Sequence, residues 1–225
     1  MAVTQAQKYE EMKTKVLYVA AKLFLEKGYT ETSLKEISSS ADINIGSLIN
    51  IFKCKENILC DLVKYVLEGQ FKSVADFLKD QTDDKILFYA AETTLQLHMA
   101  ESSEHIRDLY AAAYSMPNSM AIIQHTITGK LEEIFKAHLP DLETKDFYEL
   151  EIASGGIMRS FMTVPCDMYF TMERKVKRFL ETTFLVYRVP DEKINEATEF
   201  VLQFDFEALA QNTIEAMLSF LKDKA

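Results

Sequence analysis

The stretch INIGSLINIFKCKENIL, residues 43–59, places polar side chains on a short segment between two amphipathic ones. Asn44 is a good helix cap, Gly46 and Ser47 are small, Phe52 ends the segment, and Lys53 and Lys55 follow. A short helix displayed in this way reads a partner or is read by one. Bond-breaking chemistry has little support elsewhere in the chain. There is no Glu-x-x-His pair, no His-x-x-x-His, no glycine-rich phosphate loop and no G-x-S-x-G elbow. Cys54, Cys60 and Cys166 are odd in number and have no paired spacing, so free thiols are expected. Gly155-Gly156 lies in a helical stretch, where it permits close helix approach. No cofactor and no metal are expected.

The elements around that segment are helical. Val16, Ala20, Leu23 and Phe24 share one face of a helix over 8–27, and Gly28 sits where a helix end favours glycine. Thr32 or Ser33 caps a two-turn helix with apolar positions Leu34, Ile37, Ser38 and Ala41. Asn44 caps a third helix that buries Leu48 and Phe52. Lys55 and Glu56 open a fourth, through Ile58, Leu59, Leu62, Val63 and Val66 toward Leu78. Two short helices joined by a tight turn and clamped by longer ones form a helix-turn-helix arrangement, whose second helix can enter a major groove. The same pattern is also compatible with a three-helix packing unit that never meets DNA.

Helices continue over 83–100, 104–114, 118–138, 146–164, 171–187 and 191–222, the last breaking near Asp205. Pro117, Pro140, Pro165 and Pro190 fall at the joints. Six glycines, four prolines and 48% apolar residues agree with an all-α chain holding a substantial core. No apolar run reaches 18 residues and none at the start resembles a signal sequence, so the expected location is cytoplasmic. The net charge of −10 argues against a simple nucleic-acid binder, yet its distribution is uneven. Residues 1–66 hold nine Lys/Arg against eight Asp/Glu, and the remainder sixteen against twenty-seven. A near-neutral head on an acidic body points to two tasks in one chain.

The head resembles the TetR family of bacterial one-component transcriptional repressors. The resemblance rests on Ala20-Ala21-Lys22-Leu23-Phe24, Gly28-Tyr29, Thr32-Ser33-Leu34, Ile37, Ala41, Ile43, Gly46-Ser47-Leu48, Phe52-Lys53 and Lys55-Glu56. These span about residues 13–62, and the body is similar only in size, helicity and acidity. The resemblance implies a helix-turn-helix motif over about 33–52 within a DNA-binding domain of residues 1–60. A larger helical domain for ligand binding and dimerisation, residues 61–225, follows. Carried over, the reading helix covers about 44–51. Asn44 begins it, Ser47 and Asn50 meet base edges or phosphates, and Ile45 meets a thymine methyl. Lys35, Lys53 and Lys55 bind phosphates, with Thr32 or Ser33 adding a hydroxyl. The family usually carries tyrosine where Ile49 stands, an aromatic at Asn50, glycine at Asp42 and alanine at Ser38.

A one-component switch also needs a sensor pocket. His98, Arg107, Tyr110, Tyr114, His125, Arg159 and Phe161 are candidates for the few polar or aromatic groups in a mostly apolar site. Each has a plainer reading: Tyr110 and Tyr114 as a packed ridge, the histidines as core or surface groups, Arg107 and Arg159 as partners of Asp108, Glu104 or Glu151. Ile214, Met217, Leu218 and Leu221 form a late apolar stripe for a dimer seam or for the core. The expectation is a homodimeric, ligand-responsive repressor, with a double-stranded DNA operator and an unknown small-molecule effector as partners and no membrane. An interaction module whose head no longer binds DNA, and a helical-bundle enzyme, are the rival readings.

Overall fold

In the computed structural model, residues 4–225 are described, and among them eleven α-helices and no strand occur. They are α1 (Gln5–Lys27), α2 (Leu34–Ser40), α3 (Ile45–Phe52), α4 (Lys55–Leu78), α5 (Lys85–Glu101), α6 (Glu104–Ala113), α7 (Pro117–Phe135), α8 (Thr144–Thr163), α9 (Met172–Val186), α10 (Asp191–Val201) and α11 (Phe206–Lys224). Helix α1 starts earlier than its apolar periodicity suggests. Thr4 Oγ1 accepts from the Gln7 N–H at 3.2 Å, and Gln7 Oε1 accepts from the Thr4 N–H at 2.8 Å, which together cap the first turn. It ends at Gly28, whose φ of +84° favours glycine.

Short-range chemistry builds α2 and α3. Ser33 and Glu36 form a second capping box, and Lys27 and Ser33 hold the Glu36 carboxyl down to about 2. Ser38 Oγ donates to the Ile43 carbonyl at 2.6 Å across the turn, and Asp42 takes a left-handed φ of 51°. The hydroxyl and the aspartate thus perform turn work. Asn44 Oδ1 then accepts the Gly46 N–H at 2.8 Å. Val16, Ala20, Phe24, Ile37, Ala41, Leu48, Phe52 and Ile58 fill the core of the head. Burying each of the larger ones contributes about 1.5–3 kcal/mol.

Helix α4 runs unbroken across residues 60 and 61, so head and body share one rigid element. In the body, α5 is the central helix and touches α4, α6, α7, α8, α9, α10 and α11. It is buried on nearly every side, which explains why no polar face marks it in the sequence. Phe135 stacks on Tyr187 at 4.1 Å with Tyr89 edge-on to both. Glu101 accepts from Lys175 Nζ at 2.7 Å, Arg107 Nη2 at 3.0 Å and the Cys166 N–H at 3.0 Å, fixing the loop before α9. The three cysteines are free. No helix among the described residues is long and apolar enough to cross a membrane.

Candidate nucleic-acid interface and buried cavity

Helix α3 is anchored from below by Leu48 and Phe52, which leaves its other face outward. Ile45 and Ile49 are 39% and 42% exposed, Asn50 is exposed and Ser47 is half-buried. Lys35 on α2 and Lys53 after α3 are exposed, and Lys53 Nζ donates to the Asn50 carbonyl at 3.1 Å. Helix α3 thus presents an amide, a hydroxyl and two aliphatic side chains, with one ammonium group at its end and another on α2. They can make hydrogen bonds, methyl contacts and ion pairs with a nucleic acid. Both helix starts on this surface carry side-chain caps, Ser33 and Asn44, and the Asn44 oxygen is engaged in its own.

Two residues expected at phosphates are occupied internally. Lys55 Nζ donates to the carbonyls of Tyr29 at 2.7 Å and Thr32 at 2.8 Å, and lies 4.1 Å from the centre of the Tyr29 ring. Burial lowers its pKa, against the pull of Asp108, Glu31 and Glu36. Thr32 is buried, and its hydroxyl donates to the Gly28 carbonyl at 2.7 Å. Both hold the loop between α1 and α2. The reason lies in the chain's path: the start of α4 passes the loop after α1, whose part-buried carbonyls need donors.

Besides the packing of α1 against α6 and α11, two hydrogen-bonded contacts tie the head to the body. Asp108 on α6 accepts from the Thr30 N–H and hydroxyl, and Glu56 on α4 accepts from the Asn118 N–H at 2.9 Å, at the start of α7. Behind these contacts lies a cavity of about 100 Å³. Helices α1, α4, α5, α6, α7 and α11 wall it, and no charged side chain is among its lining residues. Its polar groups are Gln70, Gln96, Tyr65, Tyr110 and Tyr114.

Of the seven residues expected at a ligand site, Tyr110 and Tyr114 line this cavity and the other five do not. His98 packs against Phe206, where burial holds it down to about 4. Arg107 pairs with Glu101, not with its neighbours in sequence. His125 is exposed on α7. Arg159 is exposed on α8, with Nε donating to Ser115 Oγ at 3.1 Å. Phe161 packs edge-on against Phe179. Ile214, Met217, Leu218 and Leu221, left open between seam and core, line the cavity instead. Sequence reasoning missed Gln70 and Gln96. Their signal was a polar side chain within an apolar helical stripe, as Gln70 stands between Leu67 and Val74.

A second chamber of about 30 Å³ shares Gln96 and Tyr114 with the first. It holds Glu92 and Glu151, both buried. Desolvation pushes Glu92 up to about 7 and Glu151 up to about 8. Tyr114 donates to Gln96 Oε1 at 3.3 Å, and Gln96 Nε2 donates to Glu92 at 2.6 Å, so a hydrogen-bonded chain joins the two chambers. No group of three or more metal-ligating side chains occurs among the described residues.

Residues 16–62 match the family described as bacterial regulatory proteins, tetR family. The chain is 26% identical over 166 residues to the probable HTH-type transcriptional regulator YttP of Bacillus subtilis, covering 72% of this chain and 73% of that one. It is 30% identical over 147 residues to the biofilm operon icaADBC HTH-type negative transcriptional regulator IcaR of Staphylococcus epidermidis, covering 62% of this chain and 77% of the relative. Among solved structures, RolR in complex with resorcinol superposes with a TM-score of 0.63 at 18% identity, over 88% of this chain and 96% of that one. That likeness establishes the fold. These relatives are regulators, not enzymes. By its helix-turn-helix head and the relatives that share most of its length, the chain belongs to the TetR family of bacterial transcriptional regulators.

Proposed function

We propose that the protein is a cytoplasmic, homodimeric repressor that binds a near-palindromic operator and releases it when a small molecule enters the body. The observation that carries this reading is the course of α4. It starts directly after α3, and its side chains Leu59, Leu62, Val63, Val66, Leu67 and Gln70 form one wall of the cavity. A molecule larger than the empty space moves that wall, and with it the reading helix. A ligand shifts such an equilibrium only by its differential affinity for the two arrangements. The negative regulator IcaR favours repression, and RolR with its resorcinol favours a ligand-holding body.

The second copy is assigned to the outer face of α8. Tyr148, Ile152, Gly156 and Ser160 follow one another at i, i+4 spacing and are all exposed, and nothing lies within 4 Å of a Cβ built on Gly156. Operator half-sites then lie about one helical turn apart or slightly more.

Fluorescence anisotropy on fragments from upstream of its own gene, against excess random duplex and at several salt concentrations, tests the reading. A specific fragment is expected, and Asn50→Ala should weaken it by about 1–3 kcal/mol, the worth of a base contact. If no genomic fragment outcompetes random duplex even at low salt, the DNA-binding reading is wrong. Sedimentation equilibrium checks the dimer: Ile152→Asp should yield monomers, and an unchanged dimer would move the seam elsewhere.

A further inference from the structure

Gln70 is fully buried on the cavity wall, and only one end of its amide is engaged. Nε2 donates to the Tyr110 hydroxyl and lies 3.4 Å from Met99 Sδ. Met99 Sδ accepts from the Tyr110 hydroxyl as well, and a thioether offers lone pairs and no proton, which favours the NH2 end on the Tyr110 side. Oε1 is left without a hydrogen-bond partner. A buried acceptor in that state is the opposite of what native cores maintain, because each such group forfeits the hydrogen bond it had in water.

We propose that the effector is a small, uncharged, mainly hydrocarbon molecule, about one ring in size, that carries a hydroxyl or N–H and donates it to Gln70 Oε1. The inference rests on the reading of this cavity as the effector site. Three features select that class. The lining contains no Asp, Glu, Lys, Arg or His, so a charged guest would enter without an ionic partner. The space is about 100 Å³, against roughly 150 Å³ for an apolar cavity that holds benzene. A single ring that fills this space presses on its walls. Gln70 exposes no surface to the empty space, so a guest reaches Oε1 only by displacing its neighbours, and the free acceptor then favours the molecules that carry a donor.

The location gives the pressure a direction. A Cβ on Gly69, the residue before Gln70, would lie 2.6 Å from Met217 Sδ, so α4 and α11 meet closely at this level. Met217 also lines the cavity, and a guest anchored on Gln70 pushes between these two helices. The end of α4 that moves is continuous with the head.

Isothermal calorimetry on the full chain with phenol, toluene and benzoate separates the possibilities. The three share one ring and differ in carrying a donor, neither donor nor charge, or a charge. Phenol and toluene are expected to bind and benzoate not to bind. In Gln70→Leu the ratio of phenol to toluene affinity should fall about tenfold, the worth of one well-placed hydrogen bond. Gln70→Met, with an unbranched side chain, repeats the comparison where leucine disturbs α4, and circular dichroism checks that each variant is folded. An unchanged ratio in both variants, or benzoate binding as tightly as phenol, overturns the inference while leaving the cavity an effector site. If none of the three binds the wild-type chain, the reading of the cavity itself falls, and the inference with it.

Discussion

Asp108 on α6 accepts two hydrogen bonds from Thr30, one from the backbone N–H and one from the hydroxyl, both at 2.7 Å across 78 residues of sequence. Gly28 lies against the same carboxylate: a Cβ added there would stand 2.8 Å from Asp108 Oδ2. The loop that sets the start of α2 is thus held by a residue of the cavity-bearing body. Its neighbours Arg107 and Leu109 face other partners, and Leu109 lines the cavity.

This contact separates two costs at one glycine. Gly28→Ala should destabilise the protein by about 1–3 kcal/mol from its positive φ, with a further cost from the carboxylate contact. In an Asp108→Ala background the contact part disappears and the backbone part remains, so the cost of Gly28→Ala should fall without vanishing. Urea denaturation of the four proteins in the double-mutant cycle measures it. Strict additivity would mean that the loop moves freely away from α6.

Lys55 and Lys35 should behave as different kinds of lysine. Lys55→Ala removes the donor for two carbonyls of the loop after α1, and should cost about 1–2 kcal/mol, or roughly 3–6 °C in Tm for a chain of this size. Lys35 is exposed and outside the ion pairs that Lys13, Lys22 and Lys27 of the head make with Asp61, Glu26 and Glu36. Lys35→Ala should leave Tm unchanged and flatten the salt dependence of DNA binding by about 0.9 for one lost phosphate contact. The reverse pattern in thermal melts and salt titrations would show that Lys55 swings out to the duplex.

The buried carboxylates give stability a pH dependence with a definite sign. Glu92 at about 7 and Glu151 at about 8 hold protons in the folded state that the unfolded chain releases near the ordinary 4.5. Their contribution is fully present below 4.5 and is lost as pH rises to about 8. His98, held at about 4 from an ordinary 6.5, acts in the other direction and destabilises the fold as pH falls through that window. Melting curves should therefore show a lower Tm at pH 9 than at pH 6. Glu151→Gln, which keeps the shape and removes the charge, should flatten that slope. A wild-type Tm that rises over the same interval would place the carboxylates in water.

The head was legible from sequence because its signals are local. Gly28, Ser33, Asn44 and the spacing of Leu48 and Phe52 act within a few residues of where they stand, through backbone angles and capping bonds that the chain makes with itself. The helices of the body were legible for a similar reason, as prolines and apolar periodicity mark their ends and inner faces. What those faces enclose was not. Gln70, Gln96 and Tyr110 come from α4, α5 and α6 and Tyr114 from just past α6, and only the packing of those helices decides that they share a cavity. The same packing took Arg107 to Glu101 and Lys55 to the carbonyls of Tyr29 and Thr32. Sequence states which groups can form hydrogen bonds, and nearby sequence decides the short-range ones. A long side chain reaches several partners, so its final one is set by whichever buried carbonyl or carboxylate the tertiary fold brings within about 3 Å and removes from water.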